Sequence, residues 1–106
     1  MNANRDADRW GALADGTRLA IVACLADGPQ AVGQLAAGLP VTRSAVSQHL
    51  KILKGARLVE DVAAGTRRIY RLNPAALAAL RDQLDTYWRR ALAGYADAAE
   101  APTEEG

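Results

Sequence analysis

The sequence predicts a mainly helical α+β domain whose elements run α-α-α-α-β-β-α. Three observations carry this reading. Apolar residues recur at helical spacing between capping residues as far as Ala56, short β-branched segments then flank Gly65, and helical spacing returns after Asn73-Pro74.

In chain order, a first short helix covers Asp6 to Ala14, with Trp10 and Leu13 on one side. Asp15 supplies the side-chain acceptor of an N-cap and opens a helix from Gly16 to about Ala26, which stops at Asp27-Gly28-Pro29. Val32, Leu35 and Ala36 suit a third helix over Ala31 to Ala37, ended by Gly38 and a turn through Pro40. Thr42 caps a fourth, running to about Ala56, whose Val46, Leu50 and Leu53 share one face and should point into the core. Val59 to Val62 and Arg67 to Leu72 form a hairpin around Ala63-Ala64-Gly65-Thr66. Alternation of Ile69 and Arg71 with Tyr70 and Leu72 lets one side of the second strand pack while the other stays wet. Asn73 and Pro74 are a cap and first helical residue, opening a long helix to Tyr95. Met1 to Asn4 and Ala96 to Gly106 read as frayed ends, which leaves one domain over residues 5–95.

With 106 residues, half of them apolar and a quarter charged, the chain has the make-up of one globular domain. It is rich in alanine, has five aromatic residues and lacks phenylalanine, so its core is thin and burial against a second copy would add to it. The longest apolar stretches, such as Leu19 to Leu25, fall far short of the roughly 20 residues that cross a bilayer. No signal-peptide pattern opens the chain, so a cytoplasmic location with no membrane partner is expected. Cys24 is the sole cysteine, which excludes an intrachain disulfide and a cysteine-rich metal site within one subunit.

The net charge of +1 is unevenly spread. Between Thr42 and Arg71, seven basic residues (Arg43, Lys51, Lys54, Arg57, Arg67, Arg68, Arg71) face only Glu60 and Asp61, whereas the rest of the chain holds six basic and ten acidic residues. A basic face on a nearly neutral protein is what duplex DNA requires.

Two short helices joined by a tight turn at Gly38 to Val41 have the layout of a helix-turn-helix, whose second helix enters the major groove. Placing Val46, Leu50 and Leu53 inside leaves Arg43, Ser44, Ser47, Gln48 and Lys51 on the opposite side. Gln48 can make paired hydrogen bonds to an adenine edge, the serines can reach bases or phosphates, and Arg43 can reach guanine or phosphate. Any one polar helix face is more often simply solvated. Here it is followed by Arg67 and Arg68 beside a glycine turn, a basic wing able to reach phosphates or a minor groove.

The segment Thr42-Arg43-Ser44-Ala45-Val46-Ser47-Gln48-His49-Leu50-Lys51-Ile52-Leu53 resembles the recognition helix of the ArsR family of bacterial repressors, the ArsR/SmtB-type winged helix-turn-helix regulators. Ala12-Leu13-Ala14-Asp15-Gly16-Thr17-Arg18, Leu58-Val59, Gly65-Thr66-Arg67-Arg68 and Tyr70-Arg71-Leu72 extend the match over residues 8–95. The resemblance implies a dimeric winged-helix repressor that leaves its operator when an inducer binds, with DNA contacts at Ser44, Ser47, Gln48 and His49 and wing contacts at Arg67 and Arg68. Together with the reading of the helix face, the candidate DNA contacts are Thr42, Arg43, Ser44, Ser47, Gln48, His49, Lys51, Arg67 and Arg68. Two positions depart from the family pattern. Gly16 replaces a frequent proline, and Arg57 stands where a glycine usually precedes Leu-Val, adding a phosphate contact or altering the turn. Metal-sensing members carry paired cysteines near the third helix or Asp and His ligands on the last, and this sequence has neither arrangement, so no metal or other cofactor is expected.

Cys24, in an apolar helix, reads as a small core residue, with a link across a dimer as the alternative. His49 has a DNA or a packing role, since one imidazole makes no metal site alone. No second histidine, cysteine pair, phosphate-binding glycine loop or carboxylate cluster supports an enzyme. The stripe Leu77, Leu80, Leu84, Tyr87, Trp88, Ala91, Leu92 and Tyr95 either completes the subunit core or meets its counterpart in a dimer. Its length favours the dimer, with Trp10 and Leu13 completing an interface formed by Leu77, Leu80, Leu84, Tyr87, Trp88 and Leu92 of the last helix. The expected function is sequence-specific repression at a palindromic double-stranded operator by a homodimer, with an unidentified small-molecule inducer as a further partner. The alternative is a winged helix for protein association without specific DNA binding.

Overall fold

The computed structural model of the chain describes residues 8–100. Residues 8–12 are helical (α1) and lead through a turn into α2, Gly16–Ala26. Then come β1 (Gln30–Ala31), α3 (Val32–Ala37), α4 (Arg43–Gly55), β2 (Val59–Ala64), β3 (Arg67–Leu72) and α5 (Pro74–Glu100). The expected order therefore holds with one insertion, the two-residue β1, which makes the hairpin a three-stranded antiparallel sheet of order β1-β3-β2. Gln30 pairs with Tyr70 and Ala31 with Ile69. A strand of two residues has too little length to show alternation, and its pairing with β3 spans about forty residues of sequence, so no local pattern announces it.

The caps form as the residue types dictate. Asp15 Oδ1 accepts the Arg18 amide at 3.0 Å and Thr42 Oγ1 accepts that of Ala45 at 3.0 Å. Asn73 Oδ1 accepts the amides of Ala75 at 3.0 Å and Ala76 at 3.4 Å, while Pro74, which has no amide hydrogen, fills the first helical position. Ala31 has no side-chain acceptor, but Gln34 Oε1 reaches back to its amide at 2.8 Å, half of a capping box at the start of α3.

One core joins the helices with β2 and β3. Ile21 and Leu25 of α2, Leu35 of α3, Val46, Leu50 and Leu53 of α4, and Leu58 and Val59 at the head of β2 are buried together, with Ala12, Ala76 and Leu80 at its edge. Tyr70 and Leu72 are the packing side of β3. Cys24 is half-buried and packs against the same cluster.

The end of α4 explains the unusual Arg57. The Leu58 amide donates to Leu53 O at 3.0 Å and the Arg57 amide to Lys54 O at 2.9 Å, the two bonds of a Schellman motif, with Leu58 and Leu53 in the accompanying apolar contact. That motif puts Arg57 at φ 64, the left-handed region where a side chain is strained and glycine is not. Arg57→Gly is accordingly expected to stabilise the fold by about 0.5–1 kcal/mol once glycine's greater unfolded-state entropy is subtracted, a rise in Tm of about 2–6 °C. A thermal melt with an unchanged or lowered midpoint would mean that the exposed guanidinium makes a compensating contribution.

The hairpin differs slightly from expectation: β2 continues through Ala64, leaving only Gly65 and Thr66 in the turn, with Ala64 opposite Arg67. Gly65 has φ 64 and Thr66 does not share the positive sign, the signature of a II′ turn. The last helix is also longer than expected, since Ala96 to Glu100 remain helical and α5 spans 27 residues, roughly 40 Å. The expected frayed segments 1–4 and 101–106, and Asp6 and Ala7 of the first helix, lie outside the described residues. No helix among the described residues is long and apolar enough to cross a membrane.

Candidate nucleic-acid interface

The α4 helix has two opposed faces. Val46, Leu50 and Leu53 are fully buried, while Arg43, Ser44, Ser47, Gln48 and Lys51 are exposed on the other side, and Thr42 is exposed at the capping position. Burial of three branched side chains fixes the rotation of α4, so the polar face is presented by a rigid element rather than a loop.

His49 differs from its neighbours. It is half-buried, and its Nδ1 lies 3.3 Å from an Arg18 terminal nitrogen and 4.0 Å from Asp15 Oδ1. A guanidinium can only donate, so Nδ1 accepts and the ring proton sits on Nε2. The same Arg18 donates through Nε to Ala12 O at 2.6 Å, tying the end of α1 to the middle of α4. The hydrogen bond from the Arg18 amide, with the Arg18 charge beside it, holds the Asp15 carboxyl below the usual carboxylate range.

The wing is anchored by ion pairs. Asp61 on β2, with a side chain only 5% exposed, meets Lys54 Nζ at 2.7 Å and Arg68 at 2.9 Å. The Lys54 hydrogen bond and the adjacent Arg68 charge keep its carboxyl below the ordinary range. One carboxylate thus joins the last turn of α4 to both strands of the hairpin. Arg71 pairs with Glu60 directly across the ladder at 2.9 Å. Of the seven basic residues in this region, Lys54, Arg68 and Arg71 are neutralised locally, and among the described residues Arg43, Lys51, Arg57 and Arg67 have no carboxylate partner. Arg68, expected at the wing contact, also belongs to this anchor while its side chain stays 60% exposed, and Arg67 has no carboxylate partner among the described residues. Arg67 shares a notch with Arg43, which brings the wing and the start of α4 to one side of the molecule.

The apolar stripe on α5 divides. Leu80 is 6% exposed and packs into the subunit's own core with Ala76, so it needs no second chain to bury it. Leu77 is half-buried, as is Leu13, which lies against the core. From Leu84 to Ala98 every residue is exposed, including Leu84 (57%), Tyr87, Trp88 (62%), Leu92 and Tyr95. Trp10 of α1 is also exposed, and its indole N–H donates to Gln83 Oε1, aligning α1 with this half of α5.

Residues 15–61 match the model of the family described as bacterial regulatory protein, arsR family. The chain is 66% identical over 97 residues to the HTH-type transcriptional regulator Rv2034 of Mycobacterium tuberculosis, covering 91% of each chain. It belongs to the arsR family. Among solved structures, the ArsR-like transcriptional regulator from Rhodococcus sp. RHA1 superposes with a TM-score of 0.76 at 33% identity, over 95% of this chain and 98% of that one. A Mycobacterium bovis protein described as a homodimeric winged helix-turn-helix DNA-binding domain, Mb0332, superposes with a TM-score of 0.69 at 32% identity, over 85% of this chain and 83% of that one. As an arsR-family member the chain is a transcriptional regulator with a DNA-binding winged helix-turn-helix, and not an enzyme.

Within this arsR-family frame, three residues matter that the sequence did not single out. Arg18 holds His49, Asp61 anchors the wing, and Gln34 Oε1 accepts from Arg67 Nη2 at 3.1 Å. Each acts through a partner more than ten residues or a whole element away, or through a sheet register, and no motif spacing reveals that. Among the described residues, no group of three or more His, Cys, Asp or Glu is placed to hold a metal ion.

Proposed function

We propose that this arsR-family regulator is a homodimeric repressor that occupies a palindromic operator in the bacterial cytoplasm, with α4 in the major groove and the wing on flanking backbone. The observation that carries the reading is the exposed row Arg43, Ser44, Ser47, Gln48 and Lys51 on a helix whose other face is fully buried. It offers the donors and acceptors that read base edges, on an element held too firmly to reorient. Thr42 caps the helix beside this row, and His49 joins it through the Nε2 proton left free by Arg18. Arg67 supplies the wing contact. Homodimerisation is supported by the exposed Leu84, Tyr87, Trp88 and Leu92 on α5, by Trp10 beside them, and by the homodimeric state described for the M. bovis relative. A subunit pair seated on a promoter represses by excluding other proteins from it, and an inducer would act by weakening that seat.

Gln48→Ala tests the reading. It should weaken binding to the operator by about 1–3 kcal/mol, about 5- to 150-fold, with little change on random duplex and none in thermal stability. Equal losses on both duplexes would show that Gln48 does not read bases. Unlabelled random DNA that competes as well as any selected sequence at moderate salt would favour the protein-association alternative.

A further inference from the structure

Arg43 and Arg67 meet at an open notch of about 440 Å³ between the start of α3, the first residue of α4 and the wing turn. Among the described residues, no carboxylate lines it. Arg43 lies over Gly33, where a Cβ would stand 3.6 Å from its terminal nitrogen, so the guanidinium rests against the bare start of α3. On the other side, Gln34 Oε1 accepts both the Ala31 amide at 2.8 Å and Arg67 Nη2 at 3.1 Å. Both partners are donors, which fixes the amide orientation of Gln34. Thr66 borders the same space. Three guanidiniums line the cleft, and that of Arg68 is already paired with Asp61. Those of Arg43 and Arg67 have no carboxylate partner among the described residues and repel, and an oxyanion between them turns that repulsion into two charge-assisted hydrogen bonds.

We propose that this notch seats one DNA backbone phosphate, gripped by Arg43 from the recognition helix and Arg67 from the wing, with Gln34 as the positioning residue that aims Arg67. The proposal rests on the DNA-binding reading above and adds that helix and wing hold the same phosphate. A single shared phosphate would set the depth and register of α4 in the groove before any base is read. The notch is open, and Ser44, next to Arg43 in the chain, is exposed, which suits a phosphate within a polymer rather than an enclosed small anion.

The test is the salt dependence of binding to a random duplex, measured for the wild type, Arg43→Ala, Arg67→Ala, the double variant and Gln34→Glu. Each neutralised phosphate contributes a slope of about 0.9 in log K against log salt. The double variant should lose about 0.9 in total, and neither single variant more than that, because both remove the same contact. Gln34→Glu keeps the acceptor that caps α3, so its melting point should hold while the added negative charge lowers the slope by a similar amount. A double variant that loses about twice as much would mean two separate phosphates and overturn the proposal. An unchanged slope in the double variant, with a salt-dependent wild type, overturns the notch alone. Absence of salt-dependent binding in the wild type overturns the DNA reading itself. Capture of inorganic phosphate by the wild type without DNA, lost in the double variant, would make the notch a small-anion site instead.

Discussion

Leu84→Arg is expected to leave a folded monomer that no longer holds its operator. Leu84 is 57% exposed in the single subunit, and with Tyr87, Trp88 and Ala91 it forms an exposed apolar face of α5 flanked by Arg81 and Asp85. An exposed substitution on a helix changes subunit stability by about 0.5 kcal/mol or less, so circular dichroism should keep its helical signal. In the dimer the same position would be dry, and an unpaired guanidinium on each side would cost several kcal/mol, on the order of a thousandfold in association. Loss of the pair removes one of two recognition helices. Because two half-sites multiply specificity, operator binding should fall to the weak level of one helix. Sedimentation and DNA binding on the same sample check the link. A variant that stays dimeric would assign this face of α5 elsewhere, and a monomer with wild-type operator affinity would break the connection between dimer and function.

Leu50→Ala should act through the opposite route. Leu50 is fully buried at the centre of α4's inner face, in contact with the cluster that joins α2, α3 and α5. Its truncation leaves a cavity and costs about 2–5 kcal/mol, a large part of the 5–15 kcal/mol that holds a domain of this size. The denaturation midpoint should drop steeply, and DNA affinity should fall with the folded fraction rather than with any sequence preference. Leu50→Ala and Gln48→Ala sit two positions apart on one helix, yet one should destabilise the fold and the other should only blind it. Comparable stability losses in both would mean that α4 is rotated from the orientation its buried residues indicate.

What the sequence made legible follows from the range of the forces involved. Caps at Asp15, Thr42 and Asn73 depend on residues within three positions, and the buried and exposed faces of α4 depend on a 3.6-residue period, so both could be read from the chain alone. The hairpin was legible through Gly65, although its turn is tighter than the local composition suggests. Charge was the least legible property. A surplus of basic residues in 42–71 reads as a uniform patch, yet the strand register brings Arg71 onto Glu60, and Asp61 binds Lys54 and Arg68. The exposed charge that remains is concentrated in fewer residues than composition implies. The stripe on α5 was likewise one pattern with two roles, because helical periodicity cannot mark where a helix leaves the body of its subunit, here between Leu80 and Leu84.

The most direct measurement is selection of bound sequences from a pool of random duplexes by the wild-type protein, followed by the protein-to-DNA stoichiometry on the enriched site. The account predicts a palindrome with half-site centres about 34 Å apart, one turn of the duplex, bound by two subunits. A pool that shows no enrichment at low salt, or an asymmetric site filled by a single subunit, would contradict it.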